Sequence, residues 1–164
     1  MKLPQRKLHR LKGWDYSQNG YYFVTVCTHN KKRILCSIVQ NGMEAVCRPT
    51  KVGQIVLDAW NGIPRISPYV KTDFFCLMPN HIHGIVVIDV PEGVQVPGLD
   101  KIMQGFKSVA TRNYNKLVPP ENKNSLWQSS FYDEIIRNDA MLLEKRTYIE
   151  GNPSKWLQDP LYME

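Results

Sequence analysis

The sequence predicts an α+β protein built on a ferredoxin-like sheet, and three features of the pattern carry that prediction. An aromatic and β-branched run lies at residues 21–28. Two more apolar runs, at 70–78 and 81–90, are separated only by Pro79 and Asn80. Helical periodicity precedes and follows this pair, and another strand-like run lies at 126–136. The resulting β-α-β-β-α-β order is that of a ferredoxin-like sandwich, here with an additional C-terminal helix.

The first half of the chain supplies one strand, a short hairpin and one helix. The strand at 21–28 follows a turn-like Ser-Gln-Asn-Gly stretch. Residues 29–50 are of mixed character, and Gly42 predicts the turn of a short hairpin. Thr50 is a typical N-cap residue, and Gly62 with Pro64 predicts the end of the helix. Between them, apolar residues recur at helical spacing: Val52, Ile55, Val56, Ala59 and Trp60.

The second half supplies three strands and two helices. Pro79 and Asn80 break the run 70–78 from the run 81–90. A long amphipathic helix is predicted from about Leu99 to Leu117, with Phe106 on its core face. The run 126–136 predicts a strand with an irregular entry. A final helix is predicted from Asn138 or Asp139 to a stop near Pro153, because proline cannot continue a helix.

Composition fits one folded domain over residues 1–164. The 164 residues are 43% hydrophobic and 22% charged, which excludes wholesale disorder. The net charge of +6 favours a polyanionic partner such as nucleic acid, although a solvated basic surface is an equal alternative from charge alone. The excess of cations is concentrated in a basic N-terminal arm, residues 1–16, and in the segment 101–116, which has no carboxylate.

The four cysteines and the short apolar runs indicate a cytoplasmic protein. Cys27, Cys36, Cys47 and Cys76 show no C-x-x-C spacing, and no secretory signal precedes them. We therefore expect reduced thiols rather than a disulfide framework or a zinc site. The longest apolar runs are far too short to span a bilayer, so no membrane partner is expected.

Two histidines at the start of a predicted strand form the sharpest local motif. Alternate strand residues share a face, so His81 and His83 project together about 6.6 Å apart along the strand while Ile82 turns into the core. That arrangement allows one metal ion to lie between the imidazoles. The alternative is two polar residues on a solvated strand face, and an isolated H-x-H is a weak pattern.

The last predicted helix carries Tyr148 and Asn152, which are four residues apart and therefore share a helical face. A phenol nucleophile would lie one turn from a carboxamide oxygen that can complete a metal site. Because Pro153 follows, we expect Asn152 to leave helical dihedral angles. The alternative is a packed tyrosine followed by a simple helix stop.

Together these residues define a phosphoryl-transfer chemistry. Two imidazoles and one amide oxygen leave positions on a cation for phosphate oxygens, so Mg²⁺ or Mn²⁺ can polarise a scissile phosphate. A tyrosine hydroxyl is a poor nucleophile at neutral pH, which is why such polarisation is needed.

Five stretches resemble the HUH single-tyrosine transposases, including the relatives associated with repetitive extragenic palindromes (REP). The stretch 78–86, MPNHIHGIV, resembles their histidine motif. The stretch 126–138 resembles a W-Q…F/Y…I-I-R-N segment, and 146–156 resembles a closing Y-I-x-x-N-P-x-K-W. Residues 10–16 and 22–28 are similar to the opening of the family. The resemblance therefore extends over nearly the whole chain in the right order.

The resemblance implies roles for individual residues. His81 and His83 would bind the metal, and Tyr148 would form a 5′-phosphotyrosine link to cleaved single-stranded DNA. Asn152 stands where the family places a polar third ligand, and Glu150 is a nearby carboxylate that could replace it. The implied fold is the ferredoxin-like core with the tyrosine on a C-terminal helix. The partner would be hairpin or palindromic single-stranded DNA, and the protein would be a monomer or a homodimer.

The basic residues expected to contact DNA phosphates are Arg6, Arg10, Lys12, Lys107 and Arg112, with a solvated surface as the alternative for each.

Three other functions compete with DNA strand transfer. A catalytically silent or domesticated relative would bind palindromic DNA without cutting it. An RNA-recognition module would leave the histidines and Tyr148 unexplained, and its aromatic motif is not met. A small-molecule metallohydrolase is disfavoured by the basic charge.

Overall fold

The computed structural model describes residues 10–162, and a four-stranded antiparallel sheet forms its centre. The strands are β1 (Gly20–Cys27), β2 (Cys36–Asn41), β3 (Glu44–Pro49), β4 (Val70–Leu77), β5 (His81–Ile88) and β6 (Tyr132–Ile136). The helices are α1 (Lys51–Asn61), α2 (Ile63–Ile66), α3 (Leu99–Tyr114) and α4 (Asp139–Gly151). The central sheet has the order β4-β5-β1-β6, and β2 with β3 forms a separate hairpin. The predicted α+β class is confirmed.

The two faces of β5 point into two different apolar clusters. Ile82 and Val86 join the larger cluster, which α1 and α3 cover. Ile85 joins a smaller cluster on the opposite face, together with Ile149 of α4 and Trp156. Because side chains alternate along a strand, His81 and His83 lie on the same face as Ile85. The strand period therefore directs both histidines toward α4.

Pairing with the central strand β1 fixes the position of the histidine strand β5 in the sheet. Its residues 22–26 are buried, as expected for a strand covered on both faces. It pairs antiparallel with β5, so that Thr25 lies opposite His83 and Cys27 lies opposite His81. Its other edge pairs with β6. The histidine strand is consequently held between β1 and β4, inside the sheet.

The predicted boundaries of α1 agree with the structure, and the end of α3 does not. The Thr50 side chain accepts a hydrogen bond from the Gly53 amide, which confirms the predicted N-cap. The helix α3 ends at Tyr114 rather than near Leu117. Leu117 is 52% exposed, and its amide donates to the Tyr114 carbonyl in a tightened last turn. Without an apolar surface to cover, these last residues gain nothing from continuing the helix.

The strand predicted over 126–136 occupies only Tyr132–Ile136. Trp127 makes a single bridge to Thr28 before the chain leaves the sheet. The Lys107 ammonium donates to the carbonyls of Gln128 and Ser129 at 2.6 and 3.1 Å. A side chain therefore satisfies carbonyls that a longer strand would have paired with its neighbour.

The expectation that Asn152 leaves helical geometry is wrong. Its φ of −62° and ψ of −44° are helical. Its amide donates to the Ile149 carbonyl at 3.3 Å, and Pro153 starts a short 3₁₀ helix, Pro153–Gln158. Proline is tolerated in the first turn of a helix, because its missing N–H has no partner there in any case. The chain thus turns directly from α4 into a second helical segment.

Within residues 10–162, no helix has the combined length and apolar character that crossing a bilayer requires. All four cysteines are free thiols, as the sequence predicts. Cys36 and Cys76 are buried, and Cys27 and Cys47 are partly buried.

Gly84 allows the packing that holds β5 against α1. A Cβ atom at Gly84 would lie 2.4 Å from Trp60 Cζ2, which is far inside van der Waals contact. We expect Gly84→Ala to lower the free energy of unfolding by about 1–3 kcal/mol, because the indole has to move within a filled core. Urea denaturation measures this change.

The matched control is Gly105→Ala in α3, where an added Cβ meets nothing within 4 Å. This variant is expected to raise the free energy of unfolding by about 0.5–1 kcal/mol, because alanine restricts the unfolded chain. Equal unfolding midpoints for the two variants would contradict the packing assigned to Gly84.

Candidate metal and tyrosine site

His81 and His83 form a closely spaced buried pair. Their Nε2 atoms are 3.0 Å apart, and the residues are 0% and 3% exposed. The two rings meet at an interplanar angle of 71°, with centroids separated by 4.6 Å. The sequence prediction that the two imidazoles project together agrees with this geometry, whereas the alternative of a solvated strand face does not.

A polar neighbour holds the far nitrogen of each imidazole. Asn80 Nδ2 donates to the Leu161 carbonyl, so its Oδ1 is directed at His81 Nδ1, 2.8 Å away. Thr25 Oγ1 lies 2.7 Å from His83 Nδ1. When Nδ1 of each ring donates to these oxygens, both Nε2 lone pairs remain available. Outer contacts of this kind orient the histidines of metal sites.

Burial keeps both histidines neutral at physiological pH. Desolvation lowers the pKa of His81 to about 2, with smaller contributions from His83 and from the nearby Lys31 ammonium. Desolvation also lowers the pKa of His83 to about 4, and Lys145 adds to the effect. Neutral imidazole is the form that binds metal ions, so the pair does not have to lose protons first.

Asp159 brings a carboxylate to the histidine pair. Its Oδ2 lies 3.5 Å from His81 Nε2, and its side chain is 3% exposed. Burial raises the pKa of this carboxyl group. The Leu161 amide donates to the other carboxylate oxygen at 2.7 Å, and this bond fixes the orientation of the group.

The donor set formed by His81, His83 and Asp159 fits a divalent cation. One ligand atom from each residue lies within 4.8 Å of the other two. The 3.0 Å between the two Nε2 atoms matches the roughly 3 Å expected between adjacent ligands of an octahedral ion with bonds of 2.0–2.1 Å. Two imidazoles and one carboxylate suit Mn²⁺, and the carboxylate also suits Mg²⁺.

The sequence suggested two candidates for a third metal ligand, and they occupy different environments in the structure. Asn152 is buried, its Nδ2 donates to the Tyr148 carbonyl at 3.4 Å, and its Oδ1 has no hydrogen-bond partner within residues 10–162. Glu150 is exposed on α4 and does not join the histidine group. Sequence reasoning missed Asp159, whose only signal was its being one of two carboxylates after Pro153.

Tyr148 lies beside the histidine pair in the same chain. The centroid of its ring is 5.2 Å from that of His83 and 6.0 Å from that of Phe23. The residue is 42% exposed, so its outer surface faces solvent. The Arg146 guanidinium anchors this part of α4 by donating to Asp73 of β4 at 2.6 and 3.0 Å.

A cleft of about 930 Å³ opens in front of this tyrosine; we call it the tyrosine cleft. Lys145 crosses it, with its ammonium 2.7 Å from Glu134 and 4.9 Å from the centre of the Phe23 ring. The cleft reaches from His83 of the histidine pair to the edge strand β6. Its walls include Thr25, His83, Phe131, Glu144, Tyr148 and Asp159.

The basic residues predicted to contact DNA fall into separate environments. Arg10 bridges two carboxylates, Asp100 and Asp133, at the rim of the tyrosine cleft. Lys107 and Arg112 lie on α3, away from the histidines, and Lys12 is exposed near the start of the described chain. Arg6 lies outside the described residues. Of this set, Lys107 and Arg112 line one groove, Arg10 pairs with Asp100 in the wall of that groove, and Lys12 lines neither the groove nor the tyrosine cleft.

The fold and the site together define a class: an α+β protein in which paired histidines of a strand face a tyrosine of a C-terminal helix. A profile of the family described as "Transposase IS200 like" matches residues 68–152, more than half of the chain. The chain belongs to the IS200-like transposase family, and the resemblance to single-tyrosine transposases is confirmed.

Two individual proteins are similar to this chain in sequence, and a solved structure shares its fold. An uncharacterized protein of Haemophilus influenzae is 32% identical over 176 residues, covering 99% of this chain and 96% of that protein. A second protein of that strain, provisionally named a REP-associated tyrosine transposase, is 22% identical over 146 residues, covering 86% and 74%. The structure of a REP-associated tyrosine transposase bound to a REP hairpin has the same fold. Its TM-score is 0.62 at 22% identity, covering 87% of this chain and 71% of that one.

The contact between Thr25 and His83 leads to a prediction about metal affinity. We expect Thr25→Val to weaken Mn²⁺ binding by about tenfold, because His83 loses the oxygen that fixes its tautomer and orientation. Isothermal titration calorimetry with MnCl₂ measures the change. Thr72→Val on β4, a strand residue outside the site, is the matched control, and an equal loss in both variants would contradict the role of Thr25.

Proposed function

We propose that the chain binds hairpin or palindromic single-stranded DNA and cuts and rejoins one strand through a 5′-phosphotyrosine intermediate. The observation that carries this proposal is the contact within one chain between Tyr148 and His83 of the buried pair. The Tyr148 hydroxyl and a cation held by the histidines could therefore act on the same phosphate group. The match to the transposase family supports the reaction class.

The transfer step conserves the phosphodiester. The Tyr148 hydroxyl oxygen forms a bond to phosphorus while the bond from phosphorus to the 3′ oxygen breaks. The phenol loses its proton, and the departing 3′ oxygen takes one up. The DNA 5′ end stays linked to the tyrosine, and attack by a 3′ hydroxyl reverses the exchange. Rejoining therefore needs no external energy source.

Residues of this chain supply orientation and charge for that step. His81, His83 and Asp159 would hold Mg²⁺ or Mn²⁺, which supplies Lewis-acid polarisation of the scissile phosphate. Tyr148 lines the tyrosine cleft and is 42% exposed, so a strand that enters the cleft would contact its side chain. Lys145 brings a cation to the same cleft, one helical turn before the nucleophile.

The DNA partner is proposed from chemistry and from a relative. A basic chain with an apolar and aromatic cleft suits single-stranded DNA, because phosphates pair with cations and bases stack on aromatic rings. The structural relative is bound to a REP hairpin. Because Tyr148 and the histidines meet within one chain, the proposed site needs no residue from a second copy.

The identity of the third ligand can be tested by comparing three variants. Asp159→Asn is expected to weaken Mn²⁺ binding at least as strongly as Thr25→Val, because an anionic donor is lost from a buried site. Asn152→Ala and Glu150→Gln are expected to change it by less than twofold, a difference of about 0.4 kcal/mol. Titration with MnCl₂ measures the Mn²⁺ affinity of each variant. If only Asn152→Ala or only Glu150→Gln loses affinity, that residue and not Asp159 is the third ligand.

The nucleophile can be tested with a covalent-adduct assay. The protein is incubated with labelled hairpin DNA and Mn²⁺, and a denaturing gel separates any protein–DNA adduct. We expect the adduct to disappear in Tyr148→Phe, which keeps the ring and removes the hydroxyl. His81→Ala is expected to lower the adduct by at least a hundredfold, about 2.7 kcal/mol of barrier.

Tyr69→Phe, a similarly exposed tyrosine outside the cleft, is the matched control and should retain the adduct. If Tyr148→Phe forms as much adduct as the unmodified protein, the assignment of the nucleophile is wrong. Binding of the hairpin without an adduct in the unmodified protein would instead support the catalytically silent alternative.

A further inference from the structure

We propose that a groove along α3 is a second nucleic-acid site, which holds an unpaired nucleotide of the strand whose scissile phosphate lies in the tyrosine cleft. This inference rests on the proposed function and extends it to a separate surface. The groove has a volume of about 1020 Å³ and runs between α3 and the segment 123–131. We call it the α3 groove.

The charge of the α3 groove favours a phosphate chain. Four cationic side chains line it, against one carboxylate, Asp100, which already pairs with Arg10. Three of the four, Arg112, Lys116 and Lys123, are exposed and make no ion pair within residues 10–162. Cations without local counter-ions are the groups that gain most from neutralising phosphates, because small counter-ions are then released. The cationic residues are Lys107, Arg112, Lys116 and Lys123.

Two residues that line the same groove carry buried polar atoms without partners. Trp127 is 1% exposed, and its indole Nε1 has no acceptor within residues 10–162. The Asn115 Oδ1 atom is likewise buried without a donor in that part of the chain. An unpaired buried polar atom costs about 1–3 kcal/mol, and native structures keep few of them. A ligand that brings one acceptor and one donor would satisfy both.

A nucleobase has that chemistry. Its edge presents hydrogen-bond donors and acceptors next to each other, and in a single strand this edge is not occupied by a complementary base. Phosphates at the exposed cations and a base at Trp127 and Asn115 together describe one nucleotide unit. A duplex would keep the Watson–Crick edges of its bases paired, so the proposal commits to an unpaired nucleotide.

The α3 groove is continuous with the tyrosine cleft. Gln128 and Phe131 line both, and the Arg10–Asp100 pair joins the wall of one to the wall of the other. A strand that leaves the cleft therefore reaches the groove along one surface. The Phe131 ring lies at this junction, and the Arg10 guanidinium lies 5.6 Å from its centre. A base that stacks here would therefore meet an aromatic ring and a cation together. In this arrangement the proposed strand cleavage takes place at Tyr148 in the tyrosine cleft, and an unpaired base is recognised in the α3 groove.

The test measures binding rather than cleavage. Fluorescence anisotropy follows a labelled hairpin DNA with a single-stranded flank, and the same hairpin whose flank is entirely abasic. We expect the protein to bind the intact flank about fivefold more tightly, the equivalent of one net hydrogen bond. Trp127→Phe, which keeps an aromatic ring and removes the N–H, should reduce this preference by about twofold or more, and so should Asn115→Ala.

The cations are tested by the salt dependence of binding. The double variant Arg112→Gln/Lys123→Gln should weaken both DNAs and reduce the slope of log K against log salt by about 0.7 for each lost contact. Lys71→Gln on β4, an edge strand at the opposite end of the sheet order from β6, is the matched control and should leave the slope unchanged. An unchanged slope in the double variant would overturn the phosphate assignment.

Circular dichroism and thermal melting check that Trp127→Phe folds, and Asn115→Ala carries the base test if it does not. An intact preference for the base-containing flank in the folded variants would overturn the base pocket. Because anisotropy needs no adduct, this experiment can succeed or fail whether or not Tyr148 is the nucleophile. Loss of the adduct in Tyr148→Phe, conversely, says nothing about the α3 groove.

Discussion

The site depends above all on the antiparallel pairing of β1 with β5, which encloses the histidine strand within the sheet. That pairing places Thr25 opposite His83, so one backbone register both buries the imidazole and supplies the oxygen that orients it. The two Nε2 atoms lie 3.0 Å apart, and the tautomer of His83 decides what lies between them. With its proton on Nε2, His83 donates to His81 Nε2 and its Nδ1 accepts from the Thr25 hydroxyl. With its proton on Nδ1, both Nε2 lone pairs are available to a cation, so Thr25 serves either state.

The tyrosine and the histidines are supported in different ways. The histidines belong to the sheet, whereas α4 buries only Ile149 as a helix residue. The helix is instead held by polar contacts, which include the Asn138 cap and the ion pair between Arg146 and Asp73. Elements with few buried apolar contacts open at lower free energy than the core of a fold. A rigid candidate cation site therefore faces a tyrosine on a more weakly held helix, which suits the proposed role of Tyr148 in carrying a DNA end during strand exchange.

Most of this architecture could be predicted from the sequence, because the spacing of apolar residues within a strand or helix depends only on neighbouring residues in the chain. The two-residue period directed His81 and His83 to one face, and the polar cap at Thr50 marked the start of α1. The wrong or missing predictions concern residues whose positions depend on contacts between distant parts of the chain. Lys107 shortens the last strand by bonding two carbonyls from a different element, and no local pattern announces that contact. Asp159 reaches the histidines from a segment that follows them by more than seventy residues, so its position depends on how that segment packs rather than on spacing.

The segment that carries Asp159 is attached to the body of the protein mainly by aromatic contacts rather than by sheet pairing. The Arg33 guanidinium stacks over Trp156 and Tyr162, with its central carbon 5.6 and 4.6 Å from the ring centres. Each such contact at an exposed site contributes about 0.5–1 kcal/mol. Trp156 itself is buried in the smaller apolar cluster with Ile85 and Ile149, and burial of a large apolar side chain stabilises the segment more than a cation at the surface does. The carboxylate of Asp159 would therefore keep its place until that cluster opens, and the two events would share one thermal transition.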